Sequence, residues 1–588
     1  MASNAAAKVK GFVGEAREHW KTPAPGKYVP YHEYLDIFLG VGTNYSASKV
    51  LEYIYFASGC YLMMYHYRLP YLSYSIIAII NMPLSYIWTL IWWFVCDNLG
   101  LLPKKTERTL YLIYGLMAAV GLFMIFGNFS AVLDPTNSLV AYLNRLEGIT
   151  AASAIKILGT NIFYNGYVGA RNIFWRKKLI PKFGRYKYSL YCDYVPKVLS
   201  VFMLGWVPFY TTLEGDVVTR VWVANLLFAI YNAYGFANNL EMCAQNISPN
   251  GRERILIRSY PLKFSHLLWS ILSILVPVFI GMTKDKWADI AVFKYIIPFL
   301  FFACATLTLI FAGRVKERIP QPPLQKKVQI NFWDGLFGVM RNRYKWTLTV
   351  IGLLDSLGNG MLVFTTVLYL YTFRWSGAIF SVMVALLSFA GTPPDLLTPW
   401  FYKRFSFRQI MIFYELSRAI GYSLIVLCYI FLGDRLILCG TVTYIILIFM
   451  EMCHTVPTSV AHDMDIRVND YQMYLSGERL ESFSGVFGWF TGPITSLVGL
   501  IIPALLLRFG FNSNYDVLFI DSSRIKIIVI PILFDIAGYL LMTIPYIFWD
   551  FDDNKHKKVM EVLQRREEVT RKELEAQEAR EESEAAAQ

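Results

Sequence analysis

Fourteen apolar stretches, each long enough for a membrane-spanning helix, follow one another along this chain of 588 residues. Such a helix needs about 20 mostly apolar residues to cross about 30 Å of hydrocarbon. The stretches lie near 46–67, 71–97, 109–128, 151–171, 188–210, 219–241, 262–282, 291–313, 346–372, 377–401, 408–432, 436–456, 483–507 and 526–549. Only 17% of the residues are charged, whereas a soluble domain carries roughly 25%. The sequence therefore predicts an all-α, multi-pass membrane protein with about 14 transmembrane helices.

Basic residues fall on alternate connections between these stretches. Lys and Arg are frequent at 171–187 and 314–345, whereas 211–218 contains neither. Connections rich in Lys and Arg stay on the cytoplasmic side, and an even number of helices brings both termini to one side. We expect a plasma-membrane protein with both termini in the cytoplasm. The net charge of +12 then reflects topology in a lipid bilayer, and no nucleic-acid partner is expected.

A basic segment with a proline cluster at 314–345 interrupts the apolar pattern. It predicts a cytoplasmic loop between an N-terminal helix bundle at 46–313 and a C-terminal six-helix bundle at 346–549. Residues 1–45 are predicted to form a cytoplasmic N-terminal segment. The tail at 550–588 has Glu and Lys or Arg at helical spacing, which predicts a solvated cytoplasmic helix.

No arrangement typical of an enzyme is found in the sequence. His66 and His454 are isolated, and there is no H-E-x-x-H motif, nucleophile elbow or phosphate-binding loop. The eight cysteines include no C-x-x-C pair and are expected to be free thiols. We therefore expect no catalytic residue, no metal site and no cofactor.

Three segments carry a resemblance to a known family. They are SPNGRERILIRSYP at 248–261, NFWDGLFGVMRNRYKWTLTVIGLLDSLGNGM at 331–361 and DMDIRVNDYQMYLSGERLESFSGVFGW at 463–489. They resemble helix connections of the glycoside–pentoside–hexuronide:cation symporters, the melibiose permease group of the major facilitator superfamily. The resemblance implies a major facilitator fold, in which two helix bundles rock about a central site. That family has twelve helices, so we expect an inserted helix pair within 71–171.

The resemblance also implies acidic cation ligands on the second and fourth helices, and the matching positions here are neutral. Depending on which helix is the second, they hold Thr89 and Trp93 or Asn165 and Gly169, and the fourth-helix position holds Ala237. Carboxylate oxygens replace water around a hard cation. We therefore expect any sodium dependence to be weak or to use a different site.

The side chains predicted to contact substrate are Glu52, Trp88, Asn238, Asn239 and Asp355. Glu52 matches a sugar-binding acid of the family, and carboxylates accept strong hydrogen bonds from hydroxyl groups. A salt bridge to Lys49 or exposure to water is the alternative for Glu52. For Asp355, cavity lining and bonding between helices are both open. Glu241 is a weak candidate for cation coupling, with a loop salt bridge as the alternative.

Polar residues near the cytoplasmic connections resemble a gate. Arg254, Asp470 and Arg479 are predicted to form ion pairs in one conformation that break in the other. Static salt bridges are the alternative. Glu415 and Arg418 are three residues apart within one apolar stretch and are predicted to pair along one helix face.

Together these observations predict a monomeric secondary transporter that moves a small polar solute, a sugar or glycoside, by alternating access. Coupling to a proton, coupling to sodium and purely facilitative transport stay open. A lysolipid or other amphipathic molecule is the alternative solute. A membrane sensor or scaffold that does not transport is the alternative from another functional class.

Overall fold

Every regular element in the part of the chain that the structure describes is a helix. The computed structural model describes residues 14–25, 27–51, 67, 69–70, 76–77, 80, 104–130, 132–183, 187–211, 216–237, 247, 291–316, 332–357, 373, 377–391, 393–394, 397, 400–401, 404–476, 486–510, 521–563 and 565–566. We call the helices before residue 317 the first half and those after residue 331 the second half.

Seven α-helices of the described structure lie in the first half. They are α1 (Tyr31–Leu51), α2 (Lys104–Phe126), α3 (Ser138–Asn144), α4 (Ala151–Phe183), α5 (Tyr188–Thr211), α6 (Val217–Ala233) and α7 (Ile297–Arg314), the last preceded by a π-helical turn at Val292–Ile296. The second half continues with α8 (Phe332–Met340), α9 (Arg343–Asp355), α10 (Gly377–Ala390), α11 (Phe407–Leu432), α12 (Leu436–Ser476), α13 (Val486–Arg508) and α14 (Asp521–Ile547). A final helix, α15, covers 553–563.

Six described helices are long and apolar enough to cross a membrane. They are Lys104–Phe126, Tyr188–Val207, Val292–Arg314, Phe407–Leu432, Leu436–His454 and Ile528–Ile547. Each overlaps a span predicted from the sequence. Large apolar side chains on them are exposed, among them Phe126, Phe431 and Ile437. Surfaces of this kind are stable beside lipid tails and unfavourable beside water.

Helices α1 and α7 approach each other closely in the first half. A Cβ atom at Gly40 would lie 2.8 Å from the backbone nitrogen of Ala312. The hydroxyl groups of Thr43 and Thr308 are 2.8 Å apart in a buried hydrogen bond. Small residues allow helices in membranes to pack backbone to backbone, so Gly40 sets the distance between these two helices.

Helix α2 lies at the periphery, within the region where an inserted helix pair is expected. Its extensive packing in the described structure is against α4. A Cβ atom at Gly166 of α4 would lie 2.7 Å from the carbonyl oxygen of Tyr114. Leu112, Leu116 and Phe123 on other faces of α2 are exposed, so this helix adds a lipid-facing layer to the first half.

Extensive helix packing joins partners from the same half. The main pairs are α1 with α7, α2 with α4, α4 with α6, α5 with α6 and α7, α11 with α12 and α14, α9 with α13 and α14, and α10 with α12. The largest hydrophobic cluster belongs mostly to the first half but includes Ile425 of α11, Tyr444 of α12 and Ile532 of α14. A second cluster, around Tyr414 and Tyr539, lies wholly in the second half. The core shared by the two halves therefore involves the parts of α11, α12 and α14 remote from the predicted cytoplasmic ends.

The start of α1 differs from the sequence pattern. The helix begins at Tyr31, well before the membrane span predicted from residue 46. Hydropathy did not predict this start, because the first turns of the helix contain acidic residues. Glu33 and Asp36 are nevertheless buried, with exposed fractions of 4% and 7%. The predicted loop at 314–345 likewise contains a short helix, α8, that packs against α12.

The packing of α1 and α7 predicts opposite effects for two glycine substitutions. Gly40→Ala introduces a methyl group against the α7 backbone, and overpacking of this kind costs about 1–3 kcal/mol. Gly115→Ala on α2 is the matched control because no atom lies within 4 Å of its added Cβ, and alanine is favoured over glycine in a helix by about 1 kcal/mol. In thermal unfolding in detergent, Gly40→Ala should lower Tm while Gly115→Ala leaves Tm unchanged or raises it. Equal Tm values for both variants would contradict the close approach.

Candidate functional site

Three ionisable side chains meet inside the second half and form what we call the second-half charge cluster. Glu415 and Arg418 lie one turn apart on α11, with 3.7 Å between Arg418 Nη1 and Glu415 Oε2. The same Nη1 lies 3.8 Å from Oδ1 of Asp355 at the end of α9. The predicted pairing of Glu415 with Arg418 is confirmed. Arg418 stands almost equally far from two carboxylates on different helices.

Local capping fixes where α9 and α11 begin. The Asn342 side chain accepts a hydrogen bond from the Lys345 backbone N–H at 3.1 Å and donates one to the Val468 carbonyl of α12 at 3.1 Å. Ser406 and Gln409 form a reciprocal capping box at the start of α11. These caps set the axial position of the charged residues further along each helix.

The three charges lie deep along their helices. At a rise of about 1.5 Å per residue, Asp355 lies about 18 Å from Arg343, the first residue of α9. By the same measure, Glu415 and Arg418 lie about 12 and 16 Å from the start of α11. This depth is close to the middle of a hydrocarbon layer that is about 30 Å thick.

Exposure changes steeply across the second-half charge cluster. The Glu415 side chain is 1% exposed and that of Arg418 is 17% exposed, whereas that of Asp355 is 41% exposed. Within the described structure, Glu415 Oε2 is buried without a hydrogen-bond partner. One end of the cluster is therefore open and the other is sealed by packing.

Aromatic rings hold the Arg418 guanidinium in place. Its Nη2 donates a hydrogen bond to the Tyr539 hydroxyl at 2.5 Å, and its Cζ lies 3.6 Å from the Tyr539 ring centroid. The Tyr414 ring lies 5.1 Å away on the same helix, and its hydroxyl bonds Nδ1 of His454. Stacking and cation–π attraction favour a planar guanidinium here over a lysine ammonium.

Further acids surround this cluster. Asp535 of α14 is 0% exposed, and both Asp535 and Glu451 of α12 act electrostatically on Tyr422. Tyr422 in turn stacks on Tyr539 with 5.7 Å between ring centroids. Acidic side chains therefore outnumber arginine in this part of the bundle.

The first half holds a separate group, which we call the first-half charge cluster. Arg171 of α4 and Asp193 of α5 pair at 3.4 Å, with side chains only 7% and 5% exposed. Lys197, one turn beyond Asp193, donates to the Tyr231 carbonyl at 2.9 Å. Its Nζ lies 3.2 Å from the centroid of the Tyr231 ring. Lys197 also acts electrostatically on the Asp193 carboxylate.

Arg171 of this cluster sits among three aromatic rings. Its Cζ lies 5.6 Å from the Tyr167 ring, 4.9 Å from Trp175 and 5.1 Å from Tyr234. Its Nη2 also donates to the Ala233 carbonyl at 2.7 Å. Through these contacts, Arg171 of α4 joins the start of α5 to the end of α6.

Only two of the site residues predicted from the sequence lie in the described structure. Asp355 is part of the second-half charge cluster, and Asp470 lies near the end of α12. The others lie outside the described residues: Glu52, Trp88, Asn238, Asn239, Glu241, Arg254 and Arg479. Their roles stay predictions.

Sequence reasoning missed the first-half charge cluster. Arg171 was assigned to a basic connection because it lies at the edge of an apolar stretch. Asp193 and Lys197 lie inside the stretch at 188–210. Their spacing of four residues and the cost of burying charge were the available signals.

Asp470 contacts the tail of the protein. His556 Nε2 of α15 lies 2.9 Å from Asp470 Oδ2, and Arg467 of α12 pairs with Asp553. Val559 and Leu563 of α15 are buried in the second hydrophobic cluster. The tail helix is therefore docked on the end of α12 along one face, where the sequence had predicted a solvated helix.

Asp550 strengthens this attachment at the junction between α14 and α15. It accepts hydrogen bonds from Lys555 at 2.6 Å and from Arg343 at 3.1 Å. Partial burial acts to raise the pKa of the Asp550 carboxyl, but hydrogen bonds from Lys555 and Tyr344 and the Arg343 charge outweigh burial and lower that pKa. Asp550 therefore stays ionised near neutral pH and ties the tail to the start of α9.

Comparison with known proteins gives a family match and a structural similarity. A family model described as MFS/sugar transport protein matches residues 178–547, a range that contains the whole second-half charge cluster. No curated protein matches the chain. Among solved structures, the chain is similar to a bacterial homologue of the human lysosomal transporter Spinster, in an inward-facing and unoccupied conformation. The identity is 11%, the TM-score is 0.41, and the alignment covers 82% of this chain and 99% of that one.

The docked tail predicts that Asp470→Asn weakens the hold of α15 on α12, because the His556 contact loses its carboxylate. Limited trypsin digestion of the purified protein should then cleave faster after Lys557 and Lys558. Asp465→Asn is the matched control, since Asp465 lies on the same helix and pairs with Lys345 at 2.9 Å. The same slow cleavage for Asp470→Asn and Asp465→Asn would show that the Asp470 contact does not hold the tail.

Proposed function

This chain belongs to the MFS/sugar transport protein family, and from that premise we propose that it moves a small polar solute, a sugar or glycoside. Membership makes it an all-α, multi-pass membrane protein and a secondary transporter. It is not an enzyme. The solute class, the coupling mode and the membrane are the parts that we propose.

The observation that carries the proposal is the exposed carboxylate of Asp355. An ionised side chain near the middle of a bilayer costs about 2.5–3.5 kcal/mol on insertion scales unless it faces water or a partner. With 41% of its side chain exposed, Asp355 fits the wall of a water-filled cavity better than a lipid-facing surface. A carboxylate in that position accepts charge-assisted hydrogen bonds from sugar hydroxyl groups.

Charge in both halves supports alternating access as the mode of transport. In the described residues, each half contains a charge cluster, centred on Arg171 in the first half and on Arg418 in the second. Ion pairs that exchange partners are a common means of switching between two arrangements of helices. We propose that the bundles predicted at 46–313 and 346–549 move relative to each other around a site that includes Asp355.

The remaining parts of the proposal follow the sequence. We propose a plasma-membrane location, cytoplasmic termini and a monomeric transporter. Proton-coupled or facilitative transport fits the neutral residues at the expected cation positions better than sodium coupling does.

Counterflow in proteoliposomes tests the proposal. Purified protein is preloaded with one unlabelled sugar at a time, and entry of the same labelled sugar is followed across a panel of mono- and disaccharides. At least one sugar should exchange saturably, and Asp355→Asn should slow that exchange about tenfold or more, because a hydrogen bond to a charged group contributes about 1.5–3 kcal/mol.

Asp465→Asn provides the matched control, because it removes a carboxylate from α12 that is not part of the second-half charge cluster. Its exchange rate should equal that of the unmodified protein. Movement of a lysolipid without exchange of any sugar would show that the solute is a lysolipid and not a sugar. Sugar binding without exchange would instead indicate a sensor.

A further inference from the structure

We propose that the buried carboxylate of Glu415 is a proton-binding site and that its protonation shifts Arg418 from Glu415 to Asp355. The coupling of this site to solute movement rests on the function proposed above. The site itself rests on the geometry of the second-half charge cluster.

Arg418 lies between the two carboxylates of the cluster. Its Nη1 lies 3.7 Å from Glu415 and 3.8 Å from Asp355, and neither distance is short enough for a strong hydrogen bond. The guanidinium is therefore shared by two carboxylates and committed to neither. A small change in the charge of either acid decides which pair forms.

The charge balance of the cluster also favours one bound proton. With both acids ionised, two negative charges face one positive charge in a region of low dielectric, and a buried charge without a partner is costly. One bound proton makes the three side chains neutral as a group. Glu415 is the acid that packing seals from solvent, so it gains most from being neutral when Arg418 pairs with Asp355.

Groups on the neighbouring helices add to the negative side of this balance. The titratable and charged groups near Glu415 are Asp355 on α9, Tyr414 and Arg418 on α11, Glu451 and His454 on α12, and Asp535, Tyr539 and Tyr546 on α14. Asp355, Glu451, His454, Asp535 and Tyr539 each have further interactions of their own. Within the described residues, Arg418 is the cation that acts on Glu415.

The same geometry favours a proton over a metal cation. A hard cation needs several oxygen ligands arranged around it, and the described residues contain no group of three or more acidic, histidine or cysteine side chains suited to a metal. A metal ion beside Glu415 Oε2 would also lie next to the Arg418 guanidinium and be repelled by it. A proton adds to one oxygen and needs no further ligand.

The gradient of exposure supplies a route for the proton. Asp355 is the exposed end of the cluster, and Arg418 and Glu415 are successively more buried. A proton that arrives through water on the Asp355 side ends on Glu415, and the Arg418 charge then remains with Asp355. Loss of the proton returns Arg418 to Glu415. Solute bound at Asp355 would compete with Arg418 for the Asp355 carboxylate. This competition would link solute binding to the protonation of Glu415.

Infrared difference spectroscopy of the full chain in lipid nanodiscs tests the site without any solute. The proton is the probe, applied as a jump from alkaline to acidic pH. We expect a protonated-carboxyl stretching band that is lost in Glu415→Gln and retained, at a shifted frequency, in Glu415→Asp. Asp465→Asn should keep the band unchanged. A difference spectrum of Glu415→Gln identical to that of the unmodified protein would overturn the proposal.

Proteoliposome uptake tests the coupling separately. For a sugar that exchanges in counterflow, an inward proton gradient should drive accumulation by the unmodified protein and by Asp465→Asn, and accumulation relative to exchange should be lost in Glu415→Gln. Accumulation by Glu415→Gln equal to that of the unmodified protein would overturn the coupling. If no sugar exchanges while Glu415→Gln still loses the infrared band, the proton site stands and the sugar proposal fails.

Discussion

An ionised side chain survives inside a membrane only beside an opposite charge or beside water, and this constraint organises both halves of the protein. In the first half it is met by contact, since Arg171 and Asp193 are almost fully buried against each other. In the second half it is met in two ways. Glu415 is buried with Arg418, whereas Asp355 remains exposed. That difference is the reason that we propose Asp355, and not the Arg171–Asp193 pair, for the wall of the transport pathway.

Features that depend on local sequence were predicted well. The span at 408–432 matches Phe407–Leu432, because a long apolar run specifies a membrane helix without reference to its neighbours. The pairing of Glu415 with Arg418 was also predictable, since residues three apart share one helix face. The early start of α1 was not predictable from hydropathy, because hydropathy does not include the tertiary packing that buries the acidic residues of this helix.

Features that depend on packing between helices lay beyond the sequence. Asp355 and Arg418 are 63 positions apart in the chain, and their contact exists because α9 and α11 both pack on α14. The docking of α15 is similar. Its charge pattern predicts a helix, but only the folded end of α12 provides Asp470 for His556 and an apolar surface for Val559.

The two charge clusters give the fold a chemical asymmetry. Among the described residues, Arg171 pairs with one carboxylate, whereas Arg418 lies beside two. The family resemblance places cation ligands in the first half, where Thr89, Asn165 or Ala237 would stand instead. Among the described residues, the acids that we propose for proton coupling lie in the other half.

Water access to Asp355 is the property on which this account depends most. The direct measurement is labelling of Asp355→Cys, in protein lacking its native cysteines, with a membrane-impermeant thiol reagent. Ile420→Cys is the comparison, because Ile420 of α11 is an exposed apolar residue at similar depth. The account predicts rapid labelling at position 355 and none at position 420. Failure to label position 355, under conditions that label an exposed loop cysteine, would contradict it.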